Sequence, residues 1–266
     1  MKLAIKKIIN KFRIKPTIFV LGFQKCGTTT IYEILSKSKK IKKPLIKEND
    51  LLCFERGDYH SFINEFPIKS IFYEKVSICG SHLLGYDPEG AKKIKKYFHD
   101  VKLVFITRDP IERLISRYDH NKNKVKNYID RKIPLSLEET IQMELKILDK
   151  IDLTNHESLY KINSLFNPYG LLLTKGLYST FLSTFEKENF DIIVVSLEKY
   201  KTDPESVIEK LCDFTDIPNP NVTKFRYNKS VSESKSLISD ELTVELRNFY
   251  KKSNILLKEK YNIDYL

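Results

Sequence analysis

Phe19-Val20-Leu21-Gly22-Phe23-Gln24-Lys25-Cys26-Gly27-Thr28-Thr29-Thr30 runs a short apolar strand into a glycine-bracketed loop that ends in hydroxyl residues and opens a helix over 31–35. A turn of this kind holds a phosphate or sulfate. Loop N–H groups and the positive end of the following helix stabilise an anion without one protein cation for each charge. Outward from this stretch, apolar and β-branched runs recur at 17–21, 76–79, 101–106 and 191–197, each short and non-alternating. That pattern belongs to strands buried on both faces. Between them lie helical patterns such as 88–98, where Ala91, Ile94 and Phe98 share one face and lysines fill the other. The alternation predicts an α/β fold, a P-loop-like doubly wound sheet of mainly parallel strands flanked by helices. Such sheets bind ligands at the carboxyl ends of their strands, where the Lys25 loop falls.

The bulk numbers are consistent with this and decide less. At 266 residues with 41% hydrophobic content, one α/β domain with a sizeable core is expected. The reading is a basic tail over 1–16 and a single domain over 17–266, with a polar, Asn- and Lys-rich insertion at 119–170 that covers the substrate. Inside it, Ser136 followed by Glu139 predicts a capping box opening a helix over 136–148; further helices are expected at 205–214 and 240–248. The net charge of +11 favours anionic ligands, although part of it reflects a general abundance of lysine. Cys26, Cys53, Cys79 and Cys212 show neither C-x-x-C spacing nor a matching histidine pair, so neither zinc nor a disulfide framework is suggested and a reducing compartment is the default. No segment approaches the roughly twenty apolar residues of a membrane span. The expected location is cytoplasmic. Leu3, Ile5, Ile8, Ile9 and Phe12 among lysines make a membrane-surface helix the alternative to a solvated tail, hence a peripheral membrane contact through the basic N-terminus.

The nucleotide triphosphatase loop reads G-x-x-x-x-G-K-[ST]. Here Thr28 follows the second glycine and the lysine sits earlier, at Lys25, which points away from ATP hydrolysis. A second anion-binding segment is legible at 104–118, Val-Phe-Ile-Thr-Arg-Asp-Pro-Ile-Glu-Arg-Leu-Ile-Ser-Arg-Tyr: a strand stops at Arg108, turns, and enters a helix with Pro110 in its first turn. The planar fork of Arg108 suits a phosphate, and Ser116 offers a hydroxyl to the same group. Arg113 and Arg117 read instead as lacing a surface helix with Glu112 and Asp119.

Together the two segments resemble the paired motifs of the sulfotransferases that use 3′-phosphoadenosine 5′-phosphosulfate (PAPS), the first their 5′-phosphosulfate loop and the second their 3′-phosphate motif. Gly176-Leu177-Tyr178 with Phe181 and Leu182, then Ile192 to Tyr200 and Asp203-Pro204, is similar to the later part of the glycan branch, which includes heparan sulfate N- and 3-O-sulfotransferases and bacterial relatives. The resemblance covers about residues 17–120 and 175–240. It implies that Lys25 neutralises the leaving phosphate oxygen, that Gly27, Thr28 and Thr29, with Cys26 and Thr30, hold the 5′-phosphate, and that Arg108 and Ser116 hold the 3′-phosphate. It further implies a metal-independent reaction.

An attacking hydroxyl or amine must lose a proton, which calls for a base near the sulfur. Pro44-Leu45-Ile46-Lys47-Glu48-Asn49 resembles the family's Lys-Glu segment, which makes Glu48 the candidate base and Lys47 a catalytic neighbour; the bland alternative is a surface ion pair. His82, just past the strand ending near Cys79, is the rival base, because other branches use histidine. Tyr227 and Lys235, in 227–236, resemble the loop that closes over the nucleotide, without the animal enzymes' Lys-Gly-Arg signature.

The expected partners are thus an anionic nucleotide donor and a carbohydrate or glycolipid acceptor. A P-loop kinase or triphosphatase is the alternative, disfavoured by the missing Gly-Lys-[Ser/Thr] step. A basic nucleic-acid-binding module ranks lower, since the lysines are spread along the chain and no such motif is present.

Overall fold

The computed structural model describes residues 8–54, 56–70, 75–126, 136–166, 171–222 and 238–266. The chain divides into two compact units, 1–106 with 184–227 and 107–183 with 228–266.

The first unit is built on a sheet of β1 (Pro16–Gly22), β2 (Ser77–Gly80), β3 (Lys102–Thr107) and β4 (Asp191–Ser196) in the order β2-β1-β3-β4. β1 pairs in parallel with both neighbours, Phe19 opposite Cys79 on one side and Leu103 on the other. The chain therefore leaves β1 towards one side of the sheet and later returns to the other. The loop after β1 lies at this switch point, where open α/β sheets take their ligands. Helices α1 (Thr28–Leu35) and α3 (Gly90–Tyr97) connect these strands; α2 (Tyr59–Asn64) is a short helix that the sequence pattern did not announce. It starts because the Asp58 side chain accepts from Ser61 N at 2.7 Å, an N-cap that six residues are too few to advertise by periodicity. Its buried Phe62 stacks edge-on with Phe98 and tilts against Phe66, extending the ring cluster that begins with Phe19.

Outside β2, residues 41–49 run alongside as an irregular edge: Ile41 bridges Val76 and Glu48 bridges Gly80, both in parallel. Residues 10–14 of the basic N-terminal stretch pack on this unit, with Ile14 buried, its N–H on Pro67 O at 2.8 Å, and Arg13 bonded to Phe66 O and Asn64 Oδ1. All four cysteines are buried and free.

The second unit is helical: α4 (Pro110–Lys126), α5 (Leu137–Leu148), α6 (His156–Ser164), most of α7 (Tyr178–Lys187) and α10 (Asp240–Tyr261). In the first unit α8 (Leu197–Thr202) and α9 (Pro204–Thr215) follow β4. The Ser136 box is formed as expected, Glu139 N on Ser136 Oγ at 3.2 Å and Ser136 N on Glu139 Oε2 at 2.8 Å. α10 runs well beyond 248, because Tyr250, Ser253, Asn254 and Leu257 continue its buried stripe. One expectation is corrected here. Arg113 is fully buried, not on a surface helix face: its guanidinium donates to Leu172 O. The neighbouring Glu144 carboxylate accepts Leu172 N and Leu173 N, each at 2.8 Å, and Tyr250 Oη donates to Leu173 O at 2.9 Å. This polar network ties residues 171–174 to three helices of the unit.

Candidate functional site

β1 ends at Gly22, and Phe23 N donates to Ile106 O at 2.6 Å, tying the start of the loop to the end of β3. Lys25 (φ 68) and Gly27 (φ 92) then both turn left-handed, with Cys26 N between them donating to Phe23 O at 3.1 Å to close the turn. Gly27 is required twice over: its φ disfavours any side chain, and a Cβ there would stand 2.8 Å from Leu197 Cδ1. It also begins α1, whose first turn no side chain caps; Thr30 N and Ile31 N return to Gly27 O. The N–H groups of Thr28 and Thr29 therefore face the loop with the positive end of the helix behind them. Cys26 and Thr30 are buried beneath it, while Lys25 and Thr29 are half-buried at its rim.

Against this loop the edge segment brings Lys47, whose Nζ donates to Thr29 Oγ1 at 2.6 Å and lies 3.3 Å from Glu48 Oε1. Glu48 Oε2 is in turn 3.8 Å from His82 Nδ1, and His82 Nε2 is 3.2 Å from the Gln24 side-chain nitrogen. The two rival bases thus stand side by side, in a chain that begins and ends on the anion loop. Their spacing is set by the sheet edge: Glu48 pairs with Gly80, two residues before His82, and a Cβ on Gly80 would meet Lys47 O at 2.9 Å. Ser81 fastens both sides, its hydroxyl donating to Asp50 Oδ1 at 2.7 Å and accepting Leu84 N at 3.2 Å. The adjacent Cys53 thiol is pushed up to about 12, by burial first, and is a packing group, not a nucleophile. Sequence reasoning missed Gln24, although its place within the loop was a usable signal.

In the second unit Arg108 comes directly after β3, is buried, and sets its Nη2 3.4 Å from Glu112 Oε2. Its turn is held from several directions. Asp109 Oδ1 accepts Ile111 N and Glu112 N to start α4, and Asp109 Oδ2 receives Arg247 at 2.6 Å. The Tyr178 hydroxyl donates to Arg108 O at 2.8 Å. Gly176 is crowded by Tyr250 and Pro110, so the Gly-Leu-Tyr stretch serves here as the brace of the Arg108 turn. Ser116 is buried further along α4. Burial raises the Glu144 carboxyl to about 7 against the pull of its two N–H donors and Arg113. Burial, with Arg113 and Arg117 close by, lowers the Lys175 ammonium to about 7. Tyr227 and Lys235 lie outside the described residues.

Comparison with known proteins gives a family model described as "Sulfotransferase domain", matching residues 15–260. A curated relative, the membrane-associated sulfotransferase kil1 of Dictyostelium discoideum, is 22% identical over 94% of this chain, which spans 66% of that relative's length. Among solved structures, a sulfotransferase from Alicyclobacillus acidocaldarius is similar in fold, with a TM-score of 0.71 and 18% identity over 94% of this chain and 97% of that one.

Proposed function

Because the chain belongs to the sulfotransferase domain family, we propose that it moves a sulfuryl group from PAPS to a hydroxyl, or an amine, of a carbohydrate-type acceptor. The observation that carries the reading is the contact chain at the loop: an anion cradle whose Thr29 is bonded to Lys47, with Glu48 beside that lysine. An acceptor hydroxyl or amine attacking sulfur must lose its proton, and the carboxylate stands beside the loop where such a base is called for.

In this reading Gly27, Thr28, Thr29, Cys26 and Thr30 supply the 5′-phosphate contacts, with Lys25 at the bridging oxygen, while Arg108 and Ser116 supply the 3′-phosphate contacts that separate this donor from ATP. The acceptor oxygen attacks sulfur in line as the bond from sulfur to the 5′-phosphate oxygen breaks. The electron pair leaves on that phosphate, and the acceptor proton passes to Glu48. Charge builds on the leaving oxygen, so a nearby ammonium stabilises the transition state more than the ground state. Lys47 lies within reach of both the loop hydroxyl and the base. His82 as base is the second reading, favoured by its 3.8 Å contact with Glu48, which would then orient the imidazole. Tyr227 and Lys235 are assigned to the closing loop on resemblance alone. No helix of the described residues is long and apolar enough to cross a membrane; a cytoplasmic, membrane-peripheral enzyme is the proposed setting.

Calorimetric titration with 3′-phosphoadenosine 5′-phosphate, beside Mg-ATP, tests the donor. Tight binding of the bisphosphate alone is expected; preference for Mg-ATP, or binding of neither, overturns the reading.

A further inference from the structure

Three segments of the first unit lie side by side and carry all of its large exposed apolar side chains among the described residues. Arg13 bridges Ile68, Lys69 N donates to Phe12 O at 2.8 Å, and Leu45 N donates to Glu65 O at 2.8 Å, so residues 8–14, 65–69 and 41–48 form one continuous strip of surface. Along it Phe12 is 59% exposed, Ile68 52% and Leu45 81%, with Ile8, Ile9 and Ile46 also open. Lys11, Lys15, Lys42, Lys43 and Lys69 are exposed among them. Apolar tips ringed by ammonium groups match the two layers of an anionic membrane surface, hydrocarbon below and headgroup charge above. They match a protein partner poorly, since lysine is depleted from protein interfaces, and a second copy would set like charges against each other. Leu45 and Ile46 lead directly into Lys47 and Glu48, and three extended residues span at most about 10 Å.

We propose that this strip seats the enzyme on an anionic bilayer, and that the acceptor hydroxyl reaching Glu48 is carried by an amphiphile of that bilayer. The second half rests on the sulfotransferase reading; the first does not.

The test is vesicle flotation of the full chain with phosphatidylcholine vesicles, with and without phosphatidylglycerol. Wild type is expected to float with the anionic vesicles only and to be released by high salt. Phe12→Ser with Ile68→Ser, and separately Lys11→Glu with Lys69→Glu, should each lower the bound fraction about tenfold or more, while 3′-phosphoadenosine 5′-phosphate binding is unchanged. Absence of wild-type flotation overturns the docking face. So does flotation of both variants at the wild-type level, or loss of self-association in sedimentation velocity in place of lost vesicle binding. Failure of bisphosphate binding by wild type removes the donor reading and leaves the flotation result standing. For the acceptor, one sugar is offered free and as a lipid glycoside in the vesicles; preferential transfer to the glycoside is expected, and equal transfer overturns the second half.

Discussion

Glu48→Gln keeps the size of the side chain and removes its charge, so it separates a base from an ornament. The contacts at stake are Lys47 at 3.3 Å and His82 at 3.8 Å. The carboxylate is 44% exposed and the lysine 28%, so solvent screens the pair and its worth to stability is about 0–1 kcal/mol. The midpoint of thermal unfolding should therefore barely move. A general base, by contrast, contributes roughly 10²–10⁴ in rate, or about 2.7–5.4 kcal/mol of barrier. The assay is sulfate transfer from labelled PAPS, with the desulfated bisphosphate titrated in parallel. The expected outcome is a collapse of kcat, unchanged unfolding and near-normal nucleotide affinity. His82→Ala is the paired control, with a smaller loss expected. A Glu48→Gln enzyme that keeps most of its rate while His82→Ala loses a hundredfold would refute the assignment and make His82 the base. A large fall in unfolding midpoint would refute the argument from exposure.

Arg108→Ala should weaken 3′-phosphoadenosine 5′-phosphate roughly ten- to hundredfold by calorimetry, since hydrogen bonds to a charged group are worth about 1.5–3 kcal/mol, and should leave any weak Mg-ATP binding unchanged. Gly27→Ala forces a side chain at φ 92 and into Leu197, costing about 1–2 kcal/mol from the backbone alone. A double-mutant cycle with Leu197→Ala should recover the overlap and not the φ strain, a coupling of about 1 kcal/mol that additive effects would exclude. The pH dependence has two windows of opposite sign. Glu144 is raised, so its contribution is present below about 4.5 and is lost as pH rises through about 7. Lys175 is lowered, so the folded state gains from its deprotonation as pH climbs from about 7 towards 10.5. Urea unfolding across pH should fall towards neutrality and recover above it; Glu144→Gln should flatten the acid limb alone.

Much of the first unit was legible because its physics is local to the chain. Four β-branched runs, each found within a residue or two of a strand, and a glycine-bracketed turn specify a buried parallel sheet and its ligand end. The adjacency of Glu48 and His82 was not legible: each was read as a candidate on its own, and only the bridge from Glu48 to Gly80 puts them on one edge. Arg113 was misread because a charged residue on a helix near Glu112 and Asp119 looks solvated. Its partners, Leu172 O and the Glu144 carboxylate nearby, come from distant sequence and carry no periodic signal. Tyr178 was quoted only as part of a resemblance; its work, bonding the backbone of Arg108, is a geometric fact with no local sequence trace.

The wall behind Gly27 is Leu197, the first residue of α8, far along the chain. The anion loop looks like a short local motif, yet during synthesis from the N-terminus it must wait for β4 and the residue after it to emerge before its shape is enforced. Until then β1 has β2 and β3 beside it, but the left-handed turn at Gly27 lacks the Leu197 wall. Assembly of the loop is therefore a late, long-range event, of the slow kind set by contacts distant in sequence. Fragments ending before Leu197 should carry every loop residue and still bind the nucleotide poorly.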